Sequence, residues 1–115
     1  MNRLIVAAGA LLSLTLANGA LAQTAGDPDA GKKVFRKCMA CHAVGEGAKN
    51  KVGPELNGIV GEAIAAVEGY TFSAPLQSYA AEHPTWTVEE LHAWLTDPKA
   101  LVPGTKMSFP GLKNP

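Results

Sequence analysis

Five consecutive residues, Cys38-Met39-Ala40-Cys41-His42, constrain this chain more than any others, and they hold both of its cysteines. Cysteines three positions apart lie on one side of a helical turn, so both thiols can reach the same flat ligand. His42 follows at once, where its imidazole can approach that ligand from below. A Cys-x-x-Cys pair followed directly by His reads as an attachment site for c-type haem. It offers two thioether anchors (Cys38, Cys41) and one iron ligand (His42), so one covalently bound haem c per chain is expected.

Other readings of the pair fit less well. A thioredoxin-like redox motif needs a βαβ context, and no such pattern is present. Structural zinc usually takes four ligands, but His83 and His92 are far downstream of the cluster. A disulfide across so short a loop does little to constrain the unfolded chain. A thiol oxidoreductase using Cys38 and Cys41 remains a competing reading that an intact mass decides. Apoprotein plus one haem leaves no free thiol.

The N-terminus points to export. Met1-Asn2-Arg3 is a short positive segment, Leu4 to Leu16 is an uncharged apolar run, and Ala20-Leu21-Ala22 is a small-x-small cleavage box. Residues 1–22 read as a secretory signal peptide cut after Ala22. An uncut anchor is the alternative, though the run is short for a spanning helix. Export places the cysteines in an oxidising compartment, the periplasm of a bacterium, where haem must be attached to reduced thiols.

Cleavage leaves 93 of the 115 residues, 23–115. That is one small domain, marginal unless something enlarges its core. An embedded haem would add a large apolar plate, and without it the mature chain is expected to be largely unfolded. Ten basic and ten acidic residues balance over the full chain, and losing Arg3 leaves the mature chain at −1. Overall charge gives no basis for a nucleic-acid partner, and a monomer is expected.

Turn and cap residues organise the mature chain. Asp27-Pro28 reads as a helix start, with the helix running to the haem motif and carrying Val34 and Phe35 beside Gly31. Residues 45–69 are rich in glycine turns. A short helix is predicted over Pro75 to Ala81, broken by Pro84. Thr87-Val88-Glu89-Glu90 reads as a capping box, followed by Leu91, Trp94 and Leu95 on one helical face. Pro98 should end that helix, leaving extended loop from Lys99. The expected fold class is all-α, small and loop-rich.

Haem iron in an electron carrier needs a second axial ligand, and His/Met ligation raises the potential. Of the two methionines in the mature chain, Met39 lies inside the attachment motif, too constrained to reach the opposite face. Met107, in a turn-rich loop, is the expected sixth ligand. His83 and His92 are rival ligands that read as surface histidines.

Gly53-Pro54-Glu55-Leu56-Asn57-Gly58, Trp86 and Pro103-Gly104-Thr105-Lys106-Met107, with the haem motif, resemble the class I c-type cytochromes in order and spacing. That is the family of mitochondrial cytochrome c and its soluble bacterial relatives, and the likeness covers nearly all of residues 26–115. The resemblance implies His42 and Met107 as axial ligands. It implies that the Pro54 carbonyl accepts a hydrogen bond from His42, and that Trp86 and Thr105 bond the haem propionates. Trp94 would stand beside the methionine and Phe109 would shield the haem edge.

Some positions depart from that pattern. Phe72 stands where a tyrosine often bonds a propionate, and Glu62 where an arginine often balances its charge. Both should lower the haem potential, and Glu62 should turn to solvent. The family's last helix, which crosses the first, would begin where this chain stops, at Leu112 to Pro115. Its absence is expected to expose Phe35.

Lys37, Lys49, Lys51, Lys99, Lys106 and Lys113 flank the haem motif or the Met107 loop, positions that ring the haem edge in the family. They imply a positive docking face for acidic membrane or periplasmic redox proteins. The function expected is periplasmic one-electron transfer without substrate turnover. The alternative is a five-coordinate haem protein with peroxidase-like activity if the Met107 loop is loose.

Overall fold

Asp-Pro and Ser/Thr caps set where the helices begin. The computed structural model describes residues 26–115; the predicted signal peptide, 1–22, and its cleavage site lie outside the described residues. Helix α1, Pro28–Phe35, starts where Asp27 accepts hydrogen bonds from the backbone of Asp29 (3.0 Å) and Ala30 (3.2 Å). It is shorter than predicted. After Phe35 the backbone tightens into turns: Lys37 N–H bonds Val34 O, Cys38 N–H bonds Phe35 O and Cys41 N–H bonds Cys38 O. These three-residue closures are the 3₁₀-type ending common at helix termini. The last one joins the two cysteines within a single turn.

Helix α2, Ala74–Glu82, extends one residue beyond its predicted span at each end, with Ser73 Oγ capping Leu76 N. Helix α3, Val88–Thr96, is capped by Thr87 as expected. Only half of the predicted capping box forms, because the Glu90 carboxylate is engaged elsewhere. It accepts the Tyr79 hydroxyl at 2.5 Å and lies 2.6 Å from His83 Nδ1. Tyr79 and His83 stack face to face with ring centroids 4.1 Å apart. This cluster clasps α2 to the start of α3.

A fourth helix, α4, Pro98–Leu101, corrects the expectation of extended loop from Lys99. Asp97 Oδ1 caps Ala100 N at 3.1 Å, so Asp97-Pro98 opens a helix as Asp27-Pro28 does. Pro98 both stops α3 and starts α4.

The core gathers Ile64, Leu76, Trp86, Trp94 and Val102, with Phe72, Tyr79, Leu91, Leu95 and Met107 packed against it. The two tryptophan rings lie 5.6 Å apart and tilted. Among the described residues the only strand-like pairing is the isolated bridge Ala63–Thr85. Bonds beside it, from Trp86 N to Glu62 O and from Gly61 N to Trp86 O, seat Trp86 in the core. Helix α1 packs on no other helix among the described residues; its Val34 is 38 % exposed and Phe35 is partly covered.

The clasp predicts a pH signature. Burial, and then the bond to Glu90, pushes the Tyr79 hydroxyl up to about 12. The Tyr79 hydrogen bond holds the Glu90 carboxyl below its ordinary value, against burial and with help from His83. A carboxyl depressed in the folded state adds stability above its unfolded value and loses it as pH falls through the folded one. A phenol raised in the folded state adds stability below pH ~10 and loses it as pH climbs towards its folded value. Glu90→Gln should therefore flatten the acid edge of a stability-against-pH curve and soften the alkaline edge. Thermal melts across pH check this, and an unchanged curve contradicts it.

Candidate haem site

His42 is held by backbone that runs alongside it. Gly53 N–H bonds Cys41 O at 2.8 Å and Leu56 N–H bonds Ala43 O at 3.0 Å, so residues 53–56 are tied to both flanks of the histidine. The tie brings the Pro54 carbonyl to 2.7 Å from His42 Nδ1. A carbonyl can only accept, so Nδ1 carries the proton and Nε2 keeps a lone pair for a metal. Gly53 is buried, and a Cβ there would collide with the imidazole, lying 2.8 Å from Nδ1 and 2.9 Å from Nε2. The glycine is therefore part of the cradle.

Cys38 and Cys41 are free and partly exposed. Burial raises the Cys38 thiol above its ordinary value, Cys41 adds to the rise, and Lys37 offsets part of it. An exchange-active Cys-x-x-Cys pair needs the opposite, a thiol stabilised as thiolate. That direction does not favour the thiol oxidoreductase reading.

The second predicted ligand arrives from a separate segment. Gly104, at φ +86°, lets the 103–107 loop close onto α2, where an added Cβ would stand 3.1 Å from Pro75 Cγ. Thr105 N–H bonds Val102 O, and Met107 packs against the tryptophan-containing core. Beyond it, Leu112 N–H bonds Leu95 O, and Lys113 Nζ reaches Thr96 O at 2.8 Å. The loop is thus anchored before and after the methionine. Trp86 and Trp94 are buried, and Thr105 and Phe109 are partly covered. Glu62 is exposed, as its charge requires. His83 is committed to Glu90 and His92 is exposed on α3, so neither competes as a ligand.

Relatives of known kind share this chain's sequence over most of its length. Cytochrome c-550 of Ancylobacter novellus is 55% identical over 85 residues, 74% of this chain and 79% of that protein. Cytochrome c-554 of Methylosinus trichosporium is 54% identical over 93 residues, 81% and 68% of the two chains. The chain belongs to the class I c-type cytochromes. Solved structures agree. Cytochrome cH from Methylobacterium extorquens superposes with a TM-score of 0.69 at 46% identity, over 77% of this chain and 86% of that one. Cytochrome c2 from Rhodospirillum centenum gives 0.72 at 38% identity, with the same coverage. No protein-family model matches the chain.

As a cytochrome c this protein is an electron carrier rather than an enzyme, it binds haem c covalently, and it interacts with redox partners. The residues present fit that cofactor. One turn carries two thiols and an imidazole, and the Gly53 cradle leaves the imidazole's Nε2 free. No helix among the described residues is long and apolar enough to cross a membrane.

The lysines flanking the site divide into two sets. Lys51 bonds Met39 O (2.8 Å), Lys106 bonds Thr71 O (2.5 Å) and Lys113 bonds Thr96 O. Lys37, Lys49 and Lys99 are exposed, and their ammonium groups have no hydrogen-bonding partner among the described residues. Gly53 and Tyr70 escaped the sequence reading as site residues. Gly53-Pro54 carried a turn signal that pointed at the cradle, whereas Tyr70, whose hydroxyl bonds Val52 O at 2.8 Å, had none.

Gly53→Ala should push the His42 ring off Pro54 O, at a cost of about 1–3 kcal/mol for overpacking. The fraction of exported chain carrying haem should fall, read as haem absorbance per protein. An unchanged yield and spectrum would contradict the cradle.

Proposed function

We propose that this cytochrome c is a periplasmic one-electron carrier. Cys38 and Cys41 would hold the haem by thioethers, and His42 and Met107 would ligate its iron. The observation that carries the reading is the Nδ1–H to Pro54 carbonyl bond, which fixes the tautomer and leaves Nε2 with its lone pair on the side of the ring away from that carbonyl. Haem c, when bound, supplies the one-electron couple of its iron. Trp86 and Thr105 would orient the propionates, Trp94 would pack beside Met107, and Phe109 would exclude water from the haem edge. Two strong ligands on anchored segments would keep reorganisation small on electron transfer.

The five-coordinate, peroxidase-like alternative needs a detached Met107. The packing of Met107 on the core and the closure of Gly104 onto α2 favour ligation instead. A reversible redox titration of the ferric protein tests this reading. A low-spin spectrum with the far-red sulfur-to-iron band is expected, with slow cyanide binding. Met107→Ala should abolish the band and open the iron to cyanide. Immediate cyanide binding by the unsubstituted protein would overturn His/Met ligation.

The chain would be exported as a precursor, cleaved near Ala22, and act as a monomer. Its docking face would be the lysine ring around the haem edge, with the ammonium groups of Lys37, Lys49 and Lys99 free to meet a partner and those of Lys51, Lys106 and Lys113 also bonded within the chain, meeting acidic redox proteins in small, transient contacts. Electrostatic steering of that kind weakens with salt. Electron-transfer rates with an acidic redox protein should fall steeply with ionic strength, and Lys49→Gln should lower both the rate and the slope. A salt-independent rate would contradict the docking face.

A further inference from the structure

Asn57-Gly58 carries a turn signal and takes no part in holding the cofactor, yet the pair is chemically labile. The backbone nitrogen of a glycine can attack the side-chain amide of a preceding asparagine, because no Cβ shields that nitrogen. Within residues 23–115 this is the one Asn-Gly pair; Asn50 precedes Lys51, and Asn114 precedes Pro115, which has no N–H. Both Asn57 and Gly58 are exposed. Gly58 turns the chain at φ +64°, and its N–H has no hydrogen-bonding partner among the described residues. The attacking nitrogen is therefore not tied up by the fold.

The amide it would attack is tied up. Asn57 Oδ1 accepts the Gly45 N–H at 2.7 Å, and Asn57 Nδ2 donates to Gly45 O at 2.9 Å. Both ends of the side-chain amide are thus paired with one backbone unit twelve residues earlier. The Asn57 N–H is also held, by Glu55 Oε2 at 2.7 Å. Swinging Cγ onto the Gly58 nitrogen would break both bonds to Gly45 together.

We propose that Asn57 is a deamidation site gated by its clamp to Gly45: it converts when the 45–57 loop opens and, once converted, cannot be clamped again. In the first step the Gly58 nitrogen bonds to Asn57 Cγ and the Cγ–Nδ2 bond breaks. The Gly58 proton departs with the side-chain nitrogen, which leaves as ammonia. The cyclic imide then takes up one water and opens to aspartate or to isoaspartate. Water is the only co-reactant, and loss of ammonia makes the change one-way.

The product cannot serve the clamp. A carboxylate has no hydrogen to donate, so Gly45 O loses its partner and meets a negative charge instead. That charge also stands beside the Glu55 carboxylate. Isoaspartate further lengthens the main chain between positions 57 and 58. The neighbouring residue, Leu56, donates its N–H to Ala43 O, so the change falls next to the backbone tie that flanks His42. The inference stands whichever group ligates the iron opposite His42.

The test compares the holoprotein, folded and in denaturant, during incubation at mildly alkaline pH. Peptide mapping by mass spectrometry reads conversion at each asparagine, and chromatography separates the aspartate and isoaspartate products. In denaturant, Asn57 should convert well ahead of Asn50. In the folded protein its conversion should be slower by about tenfold or more, as expected when two hydrogen bonds must open first. The Asn57→Asp holoprotein should melt below the unsubstituted protein and below Asn57→Ala, which removes the clamp without adding charge. Equal conversion of Asn50 and Asn57 in denaturant would overturn the site. Conversion of Asn57 as fast in the folded protein as in denaturant would overturn the clamp. An Asn57→Asp holoprotein that melts with the unsubstituted one would overturn the claim that conversion is disabling.

Discussion

The contact on which the rest of this protein depends is the one between His42 and the Gly53-Pro54 backbone. A histidine after two cysteines can turn either nitrogen toward a metal. Here a carbonyl at 2.7 Å selects the tautomer, and a glycine without a Cβ lets the ring lie flat against the chain. The same segment is sewn to Cys41 and Ala43 by backbone bonds. The attachment motif, the ring's orientation and the chain path thus lie within nineteen residues of sequence, 38–56. That arrangement suits a cofactor that must not shift when its charge changes.

The opposite face is built on longer connections. Met107 reaches the core through a loop closed onto α2 at Gly104, and its neighbour Lys106 reaches back to a distant backbone carbonyl, Thr71 O. Long contacts of this kind are individually weak, because their groups are exposed and exchange with water. Met107, held this way, is the part of the site most open to adjustment, whereas His42 is locked. The asymmetry follows from topology: His42 sits beside its anchors in sequence, and Met107 does not.

Much of this was legible in the sequence, for reasons that differ by element. The haem motif and the Asp27 and Thr87 caps are local, so spacing alone reveals them. Helix α4 was missed because Pro98 was read as a stop, although Asp97-Pro98 repeats the start signal of Asp27-Pro28. Glu90 fitted a capping box by position, but partners on α2 outcompeted the local backbone, and nothing in its own helix encodes them. The bond between Lys106 and Thr71 spans 35 residues, beyond the reach of any periodic pattern. The hydrogen bond to Pro54 came from family likeness. Residue types alone gave no reason to choose that carbonyl.

Proton NMR of the ferrous, diamagnetic holoprotein tests the central claim most directly, because it reports both iron ligands at once. The account predicts a slowly exchanging proton on His42 Nδ1, bonded to the Pro54 carbonyl, and a Met107 methyl shifted strongly upfield by the haem ring current. A ring proton on His42 Nε2, or a Met107 methyl at its ordinary position, would contradict it.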